Sequence, residues 1–409
     1  MSRAPNLRAW VQLGFPEAAL AIFATAGAFK ADDRLAWLPI DLTVGAAILS
    51  VLLLILRTVH TPHVPRNMLL IMALFVVFCP ALFVTDWNPY ATEKAQRFYA
   101  LTLPACVAAC ILLRSAKNGR RWINALCLIG AIVAADGVTR WIGGGAMARL
   151  SGFNATTITF ARMVSLPALW LCCLALNKKL NAILAAAGVV AFGLLSVASG
   201  SRTPLLALGG TILVVASIKL RKRDSRRQLF ALAVIVGAIL LAVTLNDLLP
   251  SESRERILGS FHGELDDSGR IRLELFSVSM DYIKRYPQGL GFGGLMGRVG
   301  DVGDQRVFSH NLILEAGVEG GWIAGVYIVF LFGFALWRAR RLVIASPRRS
   351  EYLFYFAALI FLMANDMLSG ELNDSRLLFM FLGIVVTVKS ESRSVSYAGN
   401  RPRLVPVEG

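Results

Sequence analysis

Charged residues are scarce in this sequence. Asp, Glu, Lys and Arg form 17% of its 409 residues and 56% are hydrophobic, whereas soluble domains are about a quarter charged. With a mean hydropathy of +0.61, the composition points away from a soluble enzyme and indicates a polytopic membrane protein. The 42 Lys and Arg against 26 Asp and Glu give a net charge of +16, which in a membrane protein is typical of cytoplasmic loops. We therefore expect no nucleic-acid partner.

The sequence also lacks the cysteine and histidine patterns of disulfide, redox and metal sites. Its six cysteines all lie inside apolar runs and form no CxxC pair, so we interpret them as small buried hydrophobic residues. His60 and His63 have no carboxylate or cysteine clustered with them. Glu264, Asp266 and Asp267 are able to bind a divalent ion, but the two arginines that follow are the more obvious partners. We predict no metal and no cofactor.

Twelve apolar runs in the sequence are long enough, or nearly so, to cross a bilayer. Lys and Arg concentrate in every second connection between them, so the positive-inside rule places both termini in the cytoplasm. We therefore predict an all-α multi-pass membrane protein with about 12 transmembrane helices of about 20 residues each. The predicted spans are 13–29, 36–56, 67–85, 96–113, 122–142, 155–176, 180–199, 203–219, 229–246, 320–338, 352–368 and 376–389.

One long hydrophilic segment, about residues 247–308, falls on the predicted outer side, and loops of this length are usually functional or disordered. Within it, four apolar residues share one helical face, and Tyr286-Pro287 ends the pattern. They are Leu273, Phe276, Met280 and Ile283. We predict an amphipathic helix lying on the membrane bundle. The expected division of the chain is 1–246 with helices 1–9, 247–319 as a periplasmic loop, 320–389 with helices 10–12, and 390–409 as a cytoplasmic tail.

An arginine on the outer side is placed to bind an anion. In Ser199-Gly-Ser201-Arg202-Thr-Pro204, the glycine ends one helix and the proline fits the first turn of the next. Arg202 then lies beside the backbone N–H groups of a helix N-terminus, and together they make a suitable anion site. The alternative is an ordinary interfacial arginine among lipid headgroups.

A histidine stands where the long loop returns to the membrane, in Ser309-His310-Asn311. An isolated histidine is usually structural. Because an arginine-rich loop precedes it and an apolar span follows, His310 is also a candidate base at the membrane interface. Glu315 and Glu319 lie between His310 and that span, which begins with a pair of glycines.

Two further patterns have a structural explanation as well as a functional one. Residues 289–294, Gly-Leu-Gly-Phe-Gly-Gly, formally match a dinucleotide-binding GxGxxG, but they follow a predicted helix instead of a strand. We interpret them as a tight turn that passes close to other backbone or to a ligand.

Asp136 and Arg140 lie four residues apart in one apolar run and Arg162 lies in the next. They form either buried pairs that join helices or part of a substrate site.

These motifs together resemble the O-antigen ligase and polymerase superfamily of bacterial envelope glycosyltransferases. The family pattern has an arginine after a small-residue turn at a helix end, as in Ser201-Arg202. It continues with an arginine that opens a helix running to a proline and a glycine turn, as in Arg270-Ile-Arg272 through 287–291. It ends with His-Asn, an apolar stretch, a glutamate and glycines, as in residues 310–321.

The resemblance covers about residues 149–325, because residues 149–154 are also similar to the segment before a family helix. One departure concerns Phe276, where the family usually has tryptophan. Counting back from this aromatic residue favours Arg272 as the matching arginine, whereas the preceding Ser-Gly favours Arg270. We prefer Arg272 and keep both.

The resemblance implies a glycosyltransferase of the bacterial inner membrane whose donor is a glycan on undecaprenyl pyrophosphate. It implies that Arg202 and Arg272 or Arg270 bind the pyrophosphate without a metal, that Asn311 helps to bind substrate, and that His310 acts as the base. Direct displacement would invert the anomeric centre. A second role for His310, as a cation that binds the pyrophosphate, stays open.

The leading hypothesis for function is an O-antigen ligase, which transfers the glycan to the lipid A–core oligosaccharide. The alternative within the family is an O-antigen polymerase, whose acceptor is a second carrier-linked glycan. An alternative from another class is a transporter of lipid-linked glycans, suggested by the twelve spans and the intramembrane charges. Transporters often contain repeated halves, whereas here nine spans precede the long loop and three follow it.

Overall fold

The fold is entirely helical over the residues that the computed structural model describes, which are 14–30, 32–60, 64–143, 149–220, 267–299 and 307–389. The helices are α1 (Phe15–Thr25), α2 (Leu42–His60), α3 (Met68–Val77), α4 (Cys79–Val84), α5 (Pro89–Gln96), α6 (Leu103–Leu112), α7 (Ala116–Ile142), α8 (Thr157–Leu176), α9 (Ala182–Ala198), α10 (Arg202–Leu220), α11 (Asp267–Arg285), α12 (Met296–Val299), α13 (Leu312–Ala345), α14 (Ser350–Ser369) and α15 (Arg376–Thr387). Two 3-10 turns, Ala26–Phe29 and Asp33–Leu35, follow α1, and a π-helical segment, Arg97–Thr102, joins α5 to α6.

The helices of the described residues account for most of the predicted spans. Seven are long and apolar enough to cross a membrane, and four shorter apolar segments accompany them. Together they correspond to all of the predicted runs except 229–246, which lies outside the described residues. The all-α fold is therefore confirmed over the described residues, with seven helices long and apolar enough to cross a membrane, and the count of 12 stays a prediction.

The helix that follows His310 differs from its predicted bounds. The sequence predicts a span from 320, whereas α13 begins at Leu312. At Gly321 the backbone leaves the helical conformation (φ 81°, ψ 172°) and kinks α13, which a glycine tolerates because it has no Cβ. The kink divides α13 into a short half, 312–320, and a long half, 322–345.

Hydrogen bonds near the helix termini show which termini lie together at each end of the bundle. At one end, Leu150 N donates to Ala198 O at 3.1 Å and Asn311 Nδ2 donates to Met367 O at 2.9 Å. We call this the loop end, because α11 packs there against α13. At the other end, Lys219 Nζ donates to Asn177 Oδ1 at 2.7 Å. The connections that these bonds join thus lie at opposite ends of the bundle, and the identity of the cytoplasmic end stays a prediction.

The predicted amphipathic helix is confirmed as α11, but part of its packing face was assigned wrongly. Leu273 and Met280 are 56% and 45% exposed, whereas Leu275 and Ser279 are buried. Ile283 does face the bundle, because a Cβ on a glycine of α13 would lie 2.7 Å from its Cδ1. Apolar residues occur on more than one side of α11, so the partner helix and the glycine segment that follows decide which of them are covered.

Candidate active site

His310 lies at the loop end, in the turn immediately before α13. Its φ of 51° is in the left-handed region, which few residues other than glycine adopt. Asn311 caps α13: its Oδ1 accepts hydrogen bonds from Ile313 N at 3.0 Å and Leu314 N at 3.1 Å, and its Nδ2 binds Met367 O. These bonds fix the start of the helix and therefore the position of His310. A direct role of Asn311 in substrate binding stays a prediction.

The His310 imidazole occupies a partly buried, electropositive environment. Its ring centre is 4.0 Å from that of Phe308, and its Nδ1 is buried without a hydrogen-bond partner in the described part of the chain. Burial, and secondly the positive charge of Arg272, lower the pKa of His310 to about 4. A pKa this low favours the neutral imidazole at pH 7.

Of the two candidate arginines on α11, Arg272 is the one linked to His310. Arg272 is half-buried and its charge acts on the imidazole, whereas Arg270 is exposed. A buried hydrogen bond from Ser279 Oγ to Ser309 Oγ, 2.9 Å long, joins α11 to the residue before His310. This geometry supports the preference for Arg272 that the aromatic residue Phe276 suggests from sequence.

Arg202 reaches the same end of the bundle as the first residue of α10. Gly200 has a φ of 68°, and Ser201 N donates to Ser199 Oγ at 3.1 Å, so the predicted turn between two helices is confirmed. Helix α10 packs along α14, whose C-terminal turn holds the Asn311 side chain. Arg202 therefore lies at the N-terminus of a helix on the side of the bundle that carries His310.

The glycine segment, residues 289–294, runs against the short half of α13. Leu290 N donates to Val318 O at 2.7 Å and Gly291 N to Glu319 O at 3.0 Å. Gly291 has a φ of 81°, and a Cβ there would lie only 2.5 Å from Thr85 Cα. The interpretation as a turn passing close to other backbone is confirmed. The described residues contain no strand that could begin a dinucleotide-binding unit.

One cluster of charges escaped the sequence analysis. Lys94 on α5 forms ion pairs with Glu315 and Glu319, and all three residues are at most 2% exposed. Two features of the sequence could have indicated it: the two glutamates are four residues apart and so share one face of a helix, and the lysine lies close to an apolar run. Nothing in the local sequence connects them.

The three charges that the sequence places inside apolar runs, Asp136, Arg140 and Arg162, all form ion pairs. Asp136 and Arg140 form the predicted pair on α7 and join the connection between α1 and α2, while Arg162 joins α8 to α14. The contacts are Arg140–Asp136 (3.0 Å), Arg34–Asp136 (2.7 Å), Arg140–Asp32 (3.1 Å) and Arg162–Asp366 (3.1 Å). These bonds support the interpretation that the charges hold helices together.

The described residues contain no group of three His, Cys, Asp or Glu side chains able to hold a metal ion. Glu264, Asp266 and His63 lie outside the described residues. Independence from metals therefore stays a prediction.

Comparison with known proteins identifies the region that contains these residues. Residues 187–329 match the family model described as O-Antigen ligase, and the match includes Arg202, α11, the glycine segment and His310. None of the curated proteins matches the chain. The family match agrees with the motif resemblance and supports the O-antigen ligase superfamily for this region of the chain.

Proposed function

We propose that the protein is an O-antigen ligase, which transfers a glycan from undecaprenyl pyrophosphate to the lipid A–core oligosaccharide at the periplasmic face of the inner membrane. The observation that carries this proposal is the partly buried His310 imidazole, whose pKa the charge of Arg272 helps to lower, inside the region that matches the family. A base next to a guanidinium suits a reaction in which a hydroxyl loses a proton while negative charge grows on a phosphate.

In the proposed reaction, an acceptor hydroxyl oxygen attacks the anomeric carbon of the donor. The new glycosidic bond forms as the bond from that carbon to the pyrophosphate oxygen breaks, and the leaving pyrophosphate keeps the electron pair. His310 takes the hydroxyl proton. Arg202 and Arg272 bind the pyrophosphate through paired N–H groups and stabilise its added charge, and the displacement inverts the anomeric centre.

The pKa of His310 supports the role of base over that of cationic ligand. With a pKa of about 4, only about one molecule in a thousand carries an imidazolium at pH 7 before substrate binds. A bound pyrophosphate adds negative charge near the ring and raises its pKa. His310 therefore becomes a stronger base in the donor complex, when the proton has to be accepted.

Transfer between purified donor and acceptor tests the proposal, and a deletion strain distinguishes it from polymerase activity. Loss of all polymer from the core indicates a ligase, whereas a core that carries a single repeat unit indicates a polymerase. Failure of the purified protein to join donor and acceptor, with both present, would instead favour a transporter. The ion pairs that hold Asp136, Arg140 and Arg162 weaken the transporter hypothesis, because they account for the intramembrane charges.

The different roles proposed for His310 as base and for the arginines as pyrophosphate ligands give a second test. His310→Ala should lower turnover about 10²–10⁴-fold and leave the affinity for a donor analogue nearly intact, since a base acts in the transition state. Arg202→Ala and Arg272→Ala should weaken donor binding as well, and lysine should restore it only in part. Arg270→Ala should be milder, because Arg270 is exposed. Equal loss of donor binding in His310→Ala would make His310 a pyrophosphate ligand.

A further inference from the structure

A buried ammonium joins several parts of the candidate active site. Lys94 is 1% exposed. Its Nζ lies 2.6 Å from Glu319 Oε1 and directly contacts Glu315 Oε1. A third carboxylate, on Glu371, lies 3.8 Å from the same nitrogen and accepts a hydrogen bond from the Tyr90 hydroxyl at 3.1 Å. Removing this many charges from water is costly, so the cluster needs an explanation beyond apolar packing.

The two glutamates that contact Lys94 also bind the backbone of different segments. Glu319 Oε1 accepts a hydrogen bond from Gly293 N at 3.0 Å, in the glycine segment. Glu315 Oε2 accepts one from Leu372 N at 2.8 Å, in the turn between α14 and α15. Lys94 is therefore the counter-ion of two carboxylates that fasten α5, the glycine segment and this turn to the short half of α13.

The fastened segments are those that position His310 and Arg272. His310 directly precedes the short half of α13, and the glycine segment directly follows α11, which carries Arg272. The side chain of Asn311 is bound to Met367 on α14, a few residues before Leu372. The spacing between the imidazole and the guanidinium thus depends on how the glycine segment is held against α13.

We propose that Lys94 is a positioning residue for glycan transfer, whose ammonium keeps Glu315 and Glu319 on the flanking backbone and thereby holds His310 and Arg272 at their working separation. This inference rests on the proposed function. An ion pair that only anchored α5 would need one carboxylate. Here two carboxylates share the ammonium, and each also accepts a hydrogen bond from a segment beside the candidate site. Since a displacement of about 1 Å costs about 100-fold in rate, loss of the ammonium acts on turnover more than on donor binding.

A neutral triple variant separates positioning from folding. Lys94→Met, Glu315→Gln and Glu319→Gln in one protein replace the ammonium and the two carboxylates in contact with it by uncharged groups of similar size, and Glu371 keeps its hydrogen bond from Tyr90. Such replacements of buried ion pairs are often neutral or stabilising. Both glutamines keep an oxygen able to accept a backbone hydrogen bond, so no buried N–H group is left without an acceptor, but the ammonium that fixes the two side chains in place is gone. The matched control is Glu93→Gln, beside Lys94, because the Glu93 side chain is 38% exposed and pairs with Arg97 on its own helix turn.

We expect the triple variant to unfold at the wild-type temperature and to bind a donor analogue normally, while its kcat falls about 10- to 100-fold. The protonation midpoint of His310, followed by NMR, should rise, since Arg272 is no longer held beside it. Glu93→Gln should match the wild type in all four measurements. A stable triple variant with the wild-type kcat and the wild-type His310 midpoint would overturn the proposal.

Two further measurements test the proposal if the triple variant does not fold or if the protein transfers no glycan. If the triple variant does not fold, Glu319→Gln alone leaves Lys94 paired with Glu315 and should change kcat and the His310 midpoint in the same directions by smaller amounts. Unchanged values in that variant would refute the positioning role. If the wild-type protein transfers no glycan, the proposed function fails, and the His310 midpoint, which requires no substrate, decides the positioning role by itself.

Discussion

The protonation of His310 can be measured in the protein without substrate. The chain contains four histidines, so histidine-selective isotope labelling gives a simple NMR spectrum, and His310→Gln identifies the signal. We expect a midpoint of about 4. At pH 5.5 an imidazole with this pKa is about 3% protonated, whereas one with the ordinary value of 6.5 is about 90% protonated. A single spectrum at pH 5.5 therefore separates the two cases.

The two causes of the low pKa respond to different substitutions. Phe308→Ala opens the ring to water and Arg272→Gln removes the neighbouring charge, so each should raise the midpoint. Because burial is the larger cause, Arg272→Gln alone should leave the midpoint below 6.5. Arg270→Gln is the matched control and should have no effect, since Arg270 is exposed. A wild-type midpoint near 6.5 would refute the account of a buried, electropositive imidazole.

The same group predicts the pH dependence of catalysis and of stability. The acid limb of kcat/KM, which reports the free enzyme, should lie near pH 4, and that of kcat should lie higher because the bound pyrophosphate raises the pKa. Coincident limbs would contradict a pyrophosphate beside His310. The unfolded chain takes up a proton near pH 6.5, so this residue's contribution to the free energy of unfolding is complete above pH 6.5 and is lost as the pH falls to about 4.

Three further predictions concern metals, the glycine segment and the ion pairs. Transfer activity should persist in excess EDTA, and loss of activity that magnesium or manganese restores would contradict stabilisation by arginines alone. Gly291→Ala should lower the free energy of unfolding by at least about 1 kcal/mol, because alanine disfavours a positive φ. The control Gly193→Ala should stabilise α9 slightly, since a Cβ at Gly193 meets nothing within 4 Å. Equal melting temperatures of the two variants would contradict this prediction. Asp32→Asn should lower the melting temperature at pH 7. The difference in melting temperature between wild type and variant should shrink as the pH falls from 3.8 towards 2, because a hydrogen bond from Arg34 lowers the pKa of Asp32 to about 2. A difference that does not change with pH would indicate lost packing instead.

The sequence alone predicts the helical segments and the segments that carry the site. A bilayer accepts only helices or closed barrels whose backbone groups are paired internally, so apolar runs directly mark the spans. The turn before Arg202, the helix around Arg272 and the glycine segment are likewise predicted, because each depends on nearby residues. All of these features are set by local backbone geometry and by partition between water and lipid.

Only the tertiary structure decides which charges meet and how much water reaches them. Lys94 and Glu315 are separated by 221 positions in the chain, and no periodic pattern relates two residues so far apart. The buried face of α11, the link between Arg272 and His310, and the low pKa of His310 likewise depend on which neighbouring segments pack against them. Electrostatic interactions act through space and vary with burial, so the chemistry of the candidate site follows from the arrangement of the helices, which the local sequence does not encode.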